Sequence, residues 1–124
     1  VLERLSRPIT MLTGNDNFIG ESFVLGAGGA LIGFGTLATD RQVEMVEAFE
    51  HGDHERGMKI WHELMPLEEA VFGPPVRDYR ARTKAALHAI GVIDHATVRP
   101  PLLPAKPEQV SHVVDLLKQV SRTA

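Results

Sequence analysis

Two short apolar runs near the start of the chain, separated by a stretch with helical spacing, predict the first elements. The runs at residues 9–13 and 30–32 are too short for helices, and both end directly in small or polar residues. We predict both as strands of a parallel sheet, the first buried on both faces. The stretch from about residue 17 to residue 25 is predicted as the helix that connects them.

Two helices are predicted after the second strand. The first should begin with a capping box, with Thr39 at the N-cap and Gln42 at the third helical position. The second should be capped by Asp53 and should end or kink at Pro66, because proline lacks the backbone donor for the carbonyl four residues earlier.

Two more helices are predicted on either side of a proline-rich, extended connection at residues 92–106. One covers residues 77–90, and the other has Pro107 at its first position. The inward positions of the four later helices share helical spacing and mostly apolar side chains. They are Val43, Val46 and Phe49; Met58, Trp61, Leu64 and Met65; Tyr79, Thr83, Ala86, Leu87 and Ile90; and Val110, Val113, Val114, Leu117 and Val120.

The predicted order is β-α-β-α followed by three helices, which is an α/β arrangement. Two parallel strands do not form a stable sheet alone, because parallel sheets contain several strands and are covered on both faces. Either a partner chain completes the sheet, or the chain is the C-terminal part of a larger α/β protein. The chain starts at Val1 without an initiator methionine, as if it were cut from a longer one.

Composition excludes several classes of protein. The 124 residues are enough for one modest domain, and the absence of cysteine rules out disulfides and thiolate chemistry. The net charge of −3 argues against a nucleic-acid partner. No apolar run approaches the roughly 20 residues of a membrane span, and the first residues lack the apolar part of a signal peptide. We therefore expect a cytoplasmic protein without a membrane partner.

The candidate chemistry lies at the ends of the two predicted strands. Gly14, Asn15 and Asp16 follow the first strand, and residues 33–36 follow the second. Ligands in α/β proteins bind at the carboxyl ends of parallel strands, so both tips are candidate sites. Asp16 is suited either to acid–base chemistry or to capping the next helix, and the sequence leaves both open.

Three other patterns have simpler explanations. Residues 33–38 fit a G-x-G-x-x-A dinucleotide fingerprint with Asp53 at roughly the acidic offset, but no strand precedes Asp53, and the glycines also suit close packing. The six histidines lack metal-site spacing. The basic run from Arg77 to Lys84 is most simply a solvated face with ion pairs to Asp78.

Short pieces of sequence occur in a fixed order over nearly all of the chain. They lie at residues 12–16, 25–33, 52–53, 64–67, 84–87, 91–92 and 99–102. Any one piece is common, whereas the ordered set is fairly specific. With this set the chain resembles the C-terminal portion of the dihydrodipicolinate synthase and N-acetylneuraminate lyase family.

The resemblance implies a (β/α)8 TIM barrel with a three-helix C-terminal extension. Residues 1–52 would be the last two β/α units, with strands 7 and 8, and residues 53–124 the helical extension. Strands 1 to 6 would be absent from these 124 residues, because a whole barrel needs about 200 residues or more.

The resemblance also implies lyase chemistry without a cofactor. A lysine on strand 6 would form a Schiff base with pyruvate or another 2-keto acid, allowing aldol cleavage, condensation or dehydration, and a tyrosine would shuttle protons. Neither residue is expected here, since Lys59, Lys84, Lys106, Lys118 and Tyr79 all fall on predicted helices or a loop. This chain alone should therefore be inactive.

What this chain would supply is one wall of the pocket. By resemblance, the backbone of Gly14 approaches the 2-keto acid, Asn15 and Asp16 contact substrate hydroxyls or loops, and the carbonyl of Leu31 faces the Schiff base. Gly33 matches a serine of sialic-acid lyases, and its missing hydroxyl counts against that substrate. Gly-Asn-Asp at residues 14–16 replaces the Gly-Asp-Asp common in the synthases, which counts against dihydrodipicolinate synthesis.

The expected partners are the 2-keto acid, the rest of the barrel and further copies in a dimer or tetramer. A different class of function stays open. The chain could be a non-catalytic module whose helices serve as an oligomerisation surface.

Overall fold

The computed structural model describes residues 6–121, so the ends of the predicted ranges 1–52 and 53–124 lie outside the described residues. The elements follow the predicted β-α-β-α order with three further helices. They are β1 (Leu12–Thr13), α1 (Ile19–Val24), β2 (Gly29–Ala30), α2 (Thr39–Glu50), α3 (His54–Phe72), α4 (Tyr79–Ala89) and α5 (Pro107–Ser121). Three 3-10 turns lie at Asp16–Phe18, Phe34–Thr36 and Val76–Asp78.

The two strands pair in parallel, as predicted, but each is only two residues long. Leu12 is opposite Gly29 and Thr13 is opposite Ala30. Backbone bonds continue the ladder on both sides, from the Gly28 amide to the Met11 carbonyl at 2.9 Å and from the Leu31 amide to the Thr13 carbonyl at 2.8 Å. The strand–helix–strand unit therefore forms, although residues 9–11 and 31–32 lie outside the regular strands.

The prediction that the first strand is buried on both faces is wrong for the described chain. Leu12 is 53% exposed, Leu31 beyond β2 is 79% exposed, and Ile9 and Met11 are exposed as well. The reason is that each strand has a single neighbouring strand in the part that the structure describes. The apolar residues that suit a buried sheet therefore face open space.

The core lies between the helices, around Trp61 of α3. Trp61 is completely buried, and a Cβ on Gly20 of α1 would lie 2.5 Å from its Cδ1 atom, so α1 packs directly on the indole. Phe23 and Phe49 stack with ring centroids 5.4 Å apart and join α1 to α2. The helical half of the chain thereby fixes the segment between the strands.

The start of α2 differs from the predicted capping box. Ala38 occupies the N-cap position in a left-handed conformation, with φ of 50°, and no side chain caps the helix there. The Thr39 hydroxyl donates to the Gly35 carbonyl instead. The buried face is also displaced by one position, because Gln42, Met45 and Phe49 pack inward while Val43 is half exposed.

Helix α3 runs through Pro66 without ending, from His54 to Phe72. Pro66 lies on the exposed side, where water can satisfy the carbonyl that the proline leaves without a donor. The predicted cap at Asp53 is confirmed, since its carboxylate accepts from the Arg56 amide at 3.0 Å. The continuous helix carries one buried stripe along its whole length.

The basic run is only partly solvated. Arg77 pairs with Asp78 at 3.8 Å on the surface, as predicted. Arg82, in contrast, is 2% exposed, and its Nη1 donates to the carbonyls of Val71 at 2.8 Å and Gly73 at 2.7 Å. The interpretation of a solvated face is therefore wrong for Arg82, which satisfies the carbonyls that the end of α3 leaves unpaired.

The last two helices follow their predicted stripes with one exception. Val113, Leu117 and Val120 of α5 are buried, and so is Ala86 of α4, whereas Ile90 after α4 is half exposed. None of the helices in residues 6–121 is long and apolar enough to cross a membrane.

Candidate functional site

The tips of the two strands lie side by side at one edge of the sheet, as the parallel pairing requires. A Cβ added to Gly14 would meet the Leu31 carbonyl oxygen at 3.9 Å and no other atom within that range. Gly14 is exposed, so its backbone is open on the side away from Leu31. The glycine after β1 and the carbonyl after β2 therefore share one rim.

Asp16 connects the two tips. Its Oδ1 atom accepts from the Phe34 backbone amide at 2.7 Å, a short, charge-assisted bond. Phe34 begins the 3-10 turn after β2, so Asp16 caps the turn of the neighbouring unit rather than its own helix. The sequence left Asp16 open as an acid–base group or as the cap of the next helix. This bond is neither of these, because Phe34 lies 18 positions further along the chain.

Asn15 caps the turn in which Asp16 lies. Its Oδ1 atom accepts from the Asn17 amide at 3.1 Å. The backbone amide of Asn15 donates to the Thr13 hydroxyl at 3.4 Å. The side chain of Asn15 is exposed, so this capping bond holds it at the rim.

Gly33 faces a group of rings at the junction of α3 and α4. A Cβ there would lie 3.0 Å from Cε2 of Tyr79 and 3.4 Å from Cζ of Phe72. These two rings stack with centroids 4.7 Å apart, and the Arg80 guanidinium lies 4.5 Å from the centroid of the Tyr79 ring. The glycine therefore permits close packing of the helical extension, and its predicted contact with substrate stays a prediction.

Glu68, a buried carboxyl beneath the first tip, was not among the residues predicted from the sequence. Glu68 is 3% exposed, and its Oε1 atom accepts from the Asn17 side-chain amide at 2.9 Å. Burial, followed by the negative charges of Asp16 and Glu69, raises the pKa of Glu68 to about 7, against the opposing effect of the Asn17 bond. Helical spacing could have found it, because position 68 continues the buried stripe of Trp61 and Leu64.

Gln42 was placed in a capping box but belongs to the second tip. Its buried side-chain amide donates to the carbonyl of Phe34 at 2.9 Å and to that of Leu37 at 2.7 Å. The turn after β2 is thus bonded from both directions, by Asp16 at its amide and by Gln42 at its carbonyl. Such a rim is preorganised because its backbone groups already have partners.

The dinucleotide pattern finds little geometric support. Asp53, the acid that the dinucleotide pattern needs, caps α3. Within residues 6–121, no three His, Asp or Glu side chains come together as a possible metal site. Lys59, Lys84 and Lys118 lie on helices, and Lys106 directly precedes α5, so no lysine lies on β1 or β2.

Comparisons with known proteins identify the family of the chain. A family model described as the dihydrodipicolinate synthetase family matches residues 1–120. The chain is 29% identical to 4-hydroxy-tetrahydrodipicolinate synthase 2 of Clostridium acetobutylicum, over 81% of this chain and 35% of the relative. It is 30% identical to the 4-hydroxy-tetrahydrodipicolinate synthase of Methanopyrus kandleri, over 85% of this chain and 34% of the relative.

Solved structures show the same likeness in three dimensions. The crystal structure of dihydrodipicolinate synthase from Thermotoga maritima superposes with a TM-score of 0.79 at 26% identity, over 90% of this chain and 37% of that one. The small parallel sheet with its helices thus matches part of a TIM barrel. The chain spans little more than a third of the length of these relatives. It belongs to the dihydrodipicolinate synthetase family.

Proposed function

We propose that this chain forms one wall of the active site of a cytoplasmic class I aldolase-type lyase, which binds pyruvate or another 2-keto acid as a lysine Schiff base. It would supply strands 7 and 8 of the barrel and the three-helix extension. Family membership supports the reaction class, and the relatives are named as synthases of 4-hydroxy-tetrahydrodipicolinate. The observation that carries the proposal is the shared rim, where the open backbone of Gly14 lies against the Leu31 carbonyl.

The residues of the rim have distinct proposed roles. Gly14 lets the 2-keto acid approach the backbone, and the Leu31 carbonyl faces the Schiff base. Asn15 is exposed and is proposed to contact substrate hydroxyls. Asp16 is bonded to the Phe34 amide, which supports a role in holding the rim rather than in transferring protons. Gly33 lines the second tip.

The electron sink of the reaction would come from outside this chain. An iminium formed between a lysine and the 2-keto acid withdraws electrons from the adjacent carbon, so bonds to that carbon can form or break. The four lysines of this chain lie on helices or before α5. We therefore propose that both the lysine and the proton-shuttling tyrosine are contributed by the missing part of the barrel.

The exposed apolar residues of the sheet support a partner for this wall. Ile9, Met11, Leu12 and Leu31 are all exposed, at a strand pair that offers free backbone groups on both edges. Exposed strand edges and apolar patches of this kind favour pairing with further strands. Neighbouring barrel strands would bury these side chains, and copies of the whole barrel are proposed to form a dimer or tetramer.

Borohydride trapping tests the proposal. The natural gene product is treated with labelled pyruvate and sodium borohydride, and the labelled lysine is found by peptide mass spectrometry. We expect the label on a lysine outside residues 1–124, and no label when this chain is treated alone. A label on any of its four lysines, or a gene product without any label, contradicts the proposal.

The sheet of residues 6–121 has two strands and no barrel neighbours, which favours the second candidate, a non-catalytic oligomerisation module. Light scattering on the natural gene product separates the two. A stable oligomer that traps no 2-keto acid favours the module, and a trapped Schiff base favours the lyase.

A further inference from the structure

Glu68 is the one carboxylic acid that is buried among the residues that the structure describes. It lies near the C-terminal end of α3, one turn before Phe72, and faces the turn that follows β1. Its hydrogen bond to this turn comes from a neutral donor, the side-chain amide of Asn17. A buried carboxylate with one neutral partner is costly, because a single amide replaces little of its hydration.

The charged groups that act on Glu68 are both negative. Asp16 lies in the 3-10 turn next to Asn17, and Glu69 is the neighbour of Glu68 on α3. In the described chain, no charged side chain of α1, α2, α4 or α5 is among the groups that shift the pKa of Glu68. The surroundings therefore favour the protonated acid, which carries no charge and can still accept from Asn17.

Three hydrogen bonds connect this acid to both strand tips. Asn17 donates its side-chain amide to Glu68 at 2.9 Å and its backbone amide to Asn15 at 3.1 Å. Asp16, between these two residues, accepts from the Phe34 amide at 2.7 Å. One three-residue turn thus binds α3 on one side and the second tip on the other, so a change at Glu68 reaches both tips.

We propose that Glu68 is a positioning residue that anchors the first strand tip to α3 through Asn17, and that its ionisation loosens the Asp16–Phe34 bond of the tip. Ionisation places a second negative charge beside Asp16, and the mutual repulsion strains the Asp16–Phe34 bond. This link between Glu68 and the two strand tips depends only on the three hydrogen bonds described above. Its consequence, weaker binding of a 2-keto acid as pH rises, rests on the proposed function.

Nuclear magnetic resonance of the full chain tests the link without any ligand. The Phe34 backbone amide, the Asn17 side-chain amide and the Glu68 carboxyl carbon are followed between pH 5 and pH 9. We expect all three resonances to move together, with a midpoint near pH 7. In the E68Q variant, which mimics the protonated acid, both amide resonances should stay in place over this range.

Two further variants keep the test decisive if E68Q does not fold. E69Q removes a neighbouring charge that favours the protonated form, so the common midpoint should fall but the coupled movement should remain. N17A removes a bond that favours the ionised form, so the Glu68 midpoint should rise and the Phe34 amide should follow it to the higher pH.

The proposal is overturned if the two amides do not move between pH 6 and pH 8, or if they move equally in wild type and E68Q. The proposed function fails separately. If the amides follow Glu68 but borohydride traps no 2-keto acid, the link stands and the lyase proposal falls. If trapping succeeds, KM for the 2-keto acid should rise through the same midpoint in wild type and stay flat in E68Q, with kcat changing less.

Discussion

The carboxylate of Asp16 accepts a hydrogen bond from the backbone amide of Phe34, with 2.7 Å between the two atoms. The bond crosses from the tip of β1 to the tip of β2 and so joins two neighbouring β/α units. Parallel strands are joined by a crossover segment that runs from the end of one strand to the start of the next. No covalent connection therefore holds the tips of two neighbouring parallel strands together. In this chain a side chain supplies the constraint.

Replacing Asp16 with alanine should release the second tip. The Phe34 amide loses a charged acceptor, so we expect the free energy of unfolding to fall by about 1.5–3 kcal/mol. Urea unfolding measures this loss, and hydrogen exchange at the Phe34 amide should accelerate. D94A, at an exposed position in the loop after α4, is the matched control and should change neither quantity. Unchanged exchange at Phe34 in D16A would show that the bond does not form in solution.

Replacing Gly33 with alanine should disturb the rings of the helical extension. The new Cβ would lie 3.0 Å from the Tyr79 ring and 3.4 Å from Phe72, two side chains that are held in a stack. Overpacking of this kind costs about 1–3 kcal/mol. G35A is the control, because its Cβ would meet Ile32 at 3.6 Å, an ordinary contact. Equal stabilities for the two variants in urea would contradict the packing role of Gly33.

Replacing Gly14 with alanine should affect ligand binding but not folding. The added Cβ meets only the Leu31 carbonyl, at 3.9 Å, so we expect stability to change by less than about 0.5 kcal/mol. If the 2-keto acid approaches this backbone, the same methyl group should raise its KM at least about tenfold, equivalent to 1.4 kcal/mol. Steady-state kinetics on the catalytically competent protein measures the effect, and an unchanged KM would remove Gly14 from the site.

The stability of the chain should fall with pH in a window set by Glu68. Burial first, then Asp16 and Glu69, raise the pKa of Glu68 to about 7 from the 4.5 of the unfolded chain. The folded protein therefore keeps a proton that the unfolded chain releases in this interval. The contribution of Glu68 to the free energy of unfolding is complete below pH 4.5 and is lost as pH rises to about 7. Over this interval the free energy of unfolding should fall by no more than about 1.4 kcal/mol per pH unit.

Urea unfolding of wild type and E68Q at a series of pH values isolates this effect. The difference between the two proteins should change steadily between pH 4.5 and pH 7 and stay constant above it, with E68Q relatively more stable at high pH. A difference that is constant over the whole range would mean that Glu68 titrates normally.

Replacing Arg82 with methionine should destabilise the end of α3. The guanidinium donates to the buried carbonyl of Val71 and, in partly buried bonds, to the carbonyls of Gly73 and Pro74, so its removal leaves the Val71 carbonyl buried without this donor. Unsatisfied buried groups cost about 1–3 kcal/mol each, so we expect a loss of at least about 2 kcal/mol in urea unfolding. R80M, on the exposed side of the same helix, should cost less than half as much. Similar losses in both variants would contradict the buried role of Arg82.

Local pattern was sufficient for the order of elements. Short apolar runs predicted the parallel pair, Asp53 marked the start of α3, and Pro107 marked the start of α5, because strand length, caps and prolines act within a few residues. The glycine-rich tips also indicated where the candidate site lies. The error at Thr39 arose because Ala38 takes the N-cap position and Gln42, predicted for the capping box, bonds the turn after β2 instead.

The sequence by itself determined the α/β order, the family resemblance and the position of Gly14 after the first strand. Only the tertiary structure decided that Asp16 bonds Phe34, that Asn17 bonds Glu68, and that Arg82 closes α3. The physical reason is distance along the chain. These partners are separated by 18, 51 and about ten residues, and nothing in a local pattern identifies which distant donor will satisfy a buried polar group.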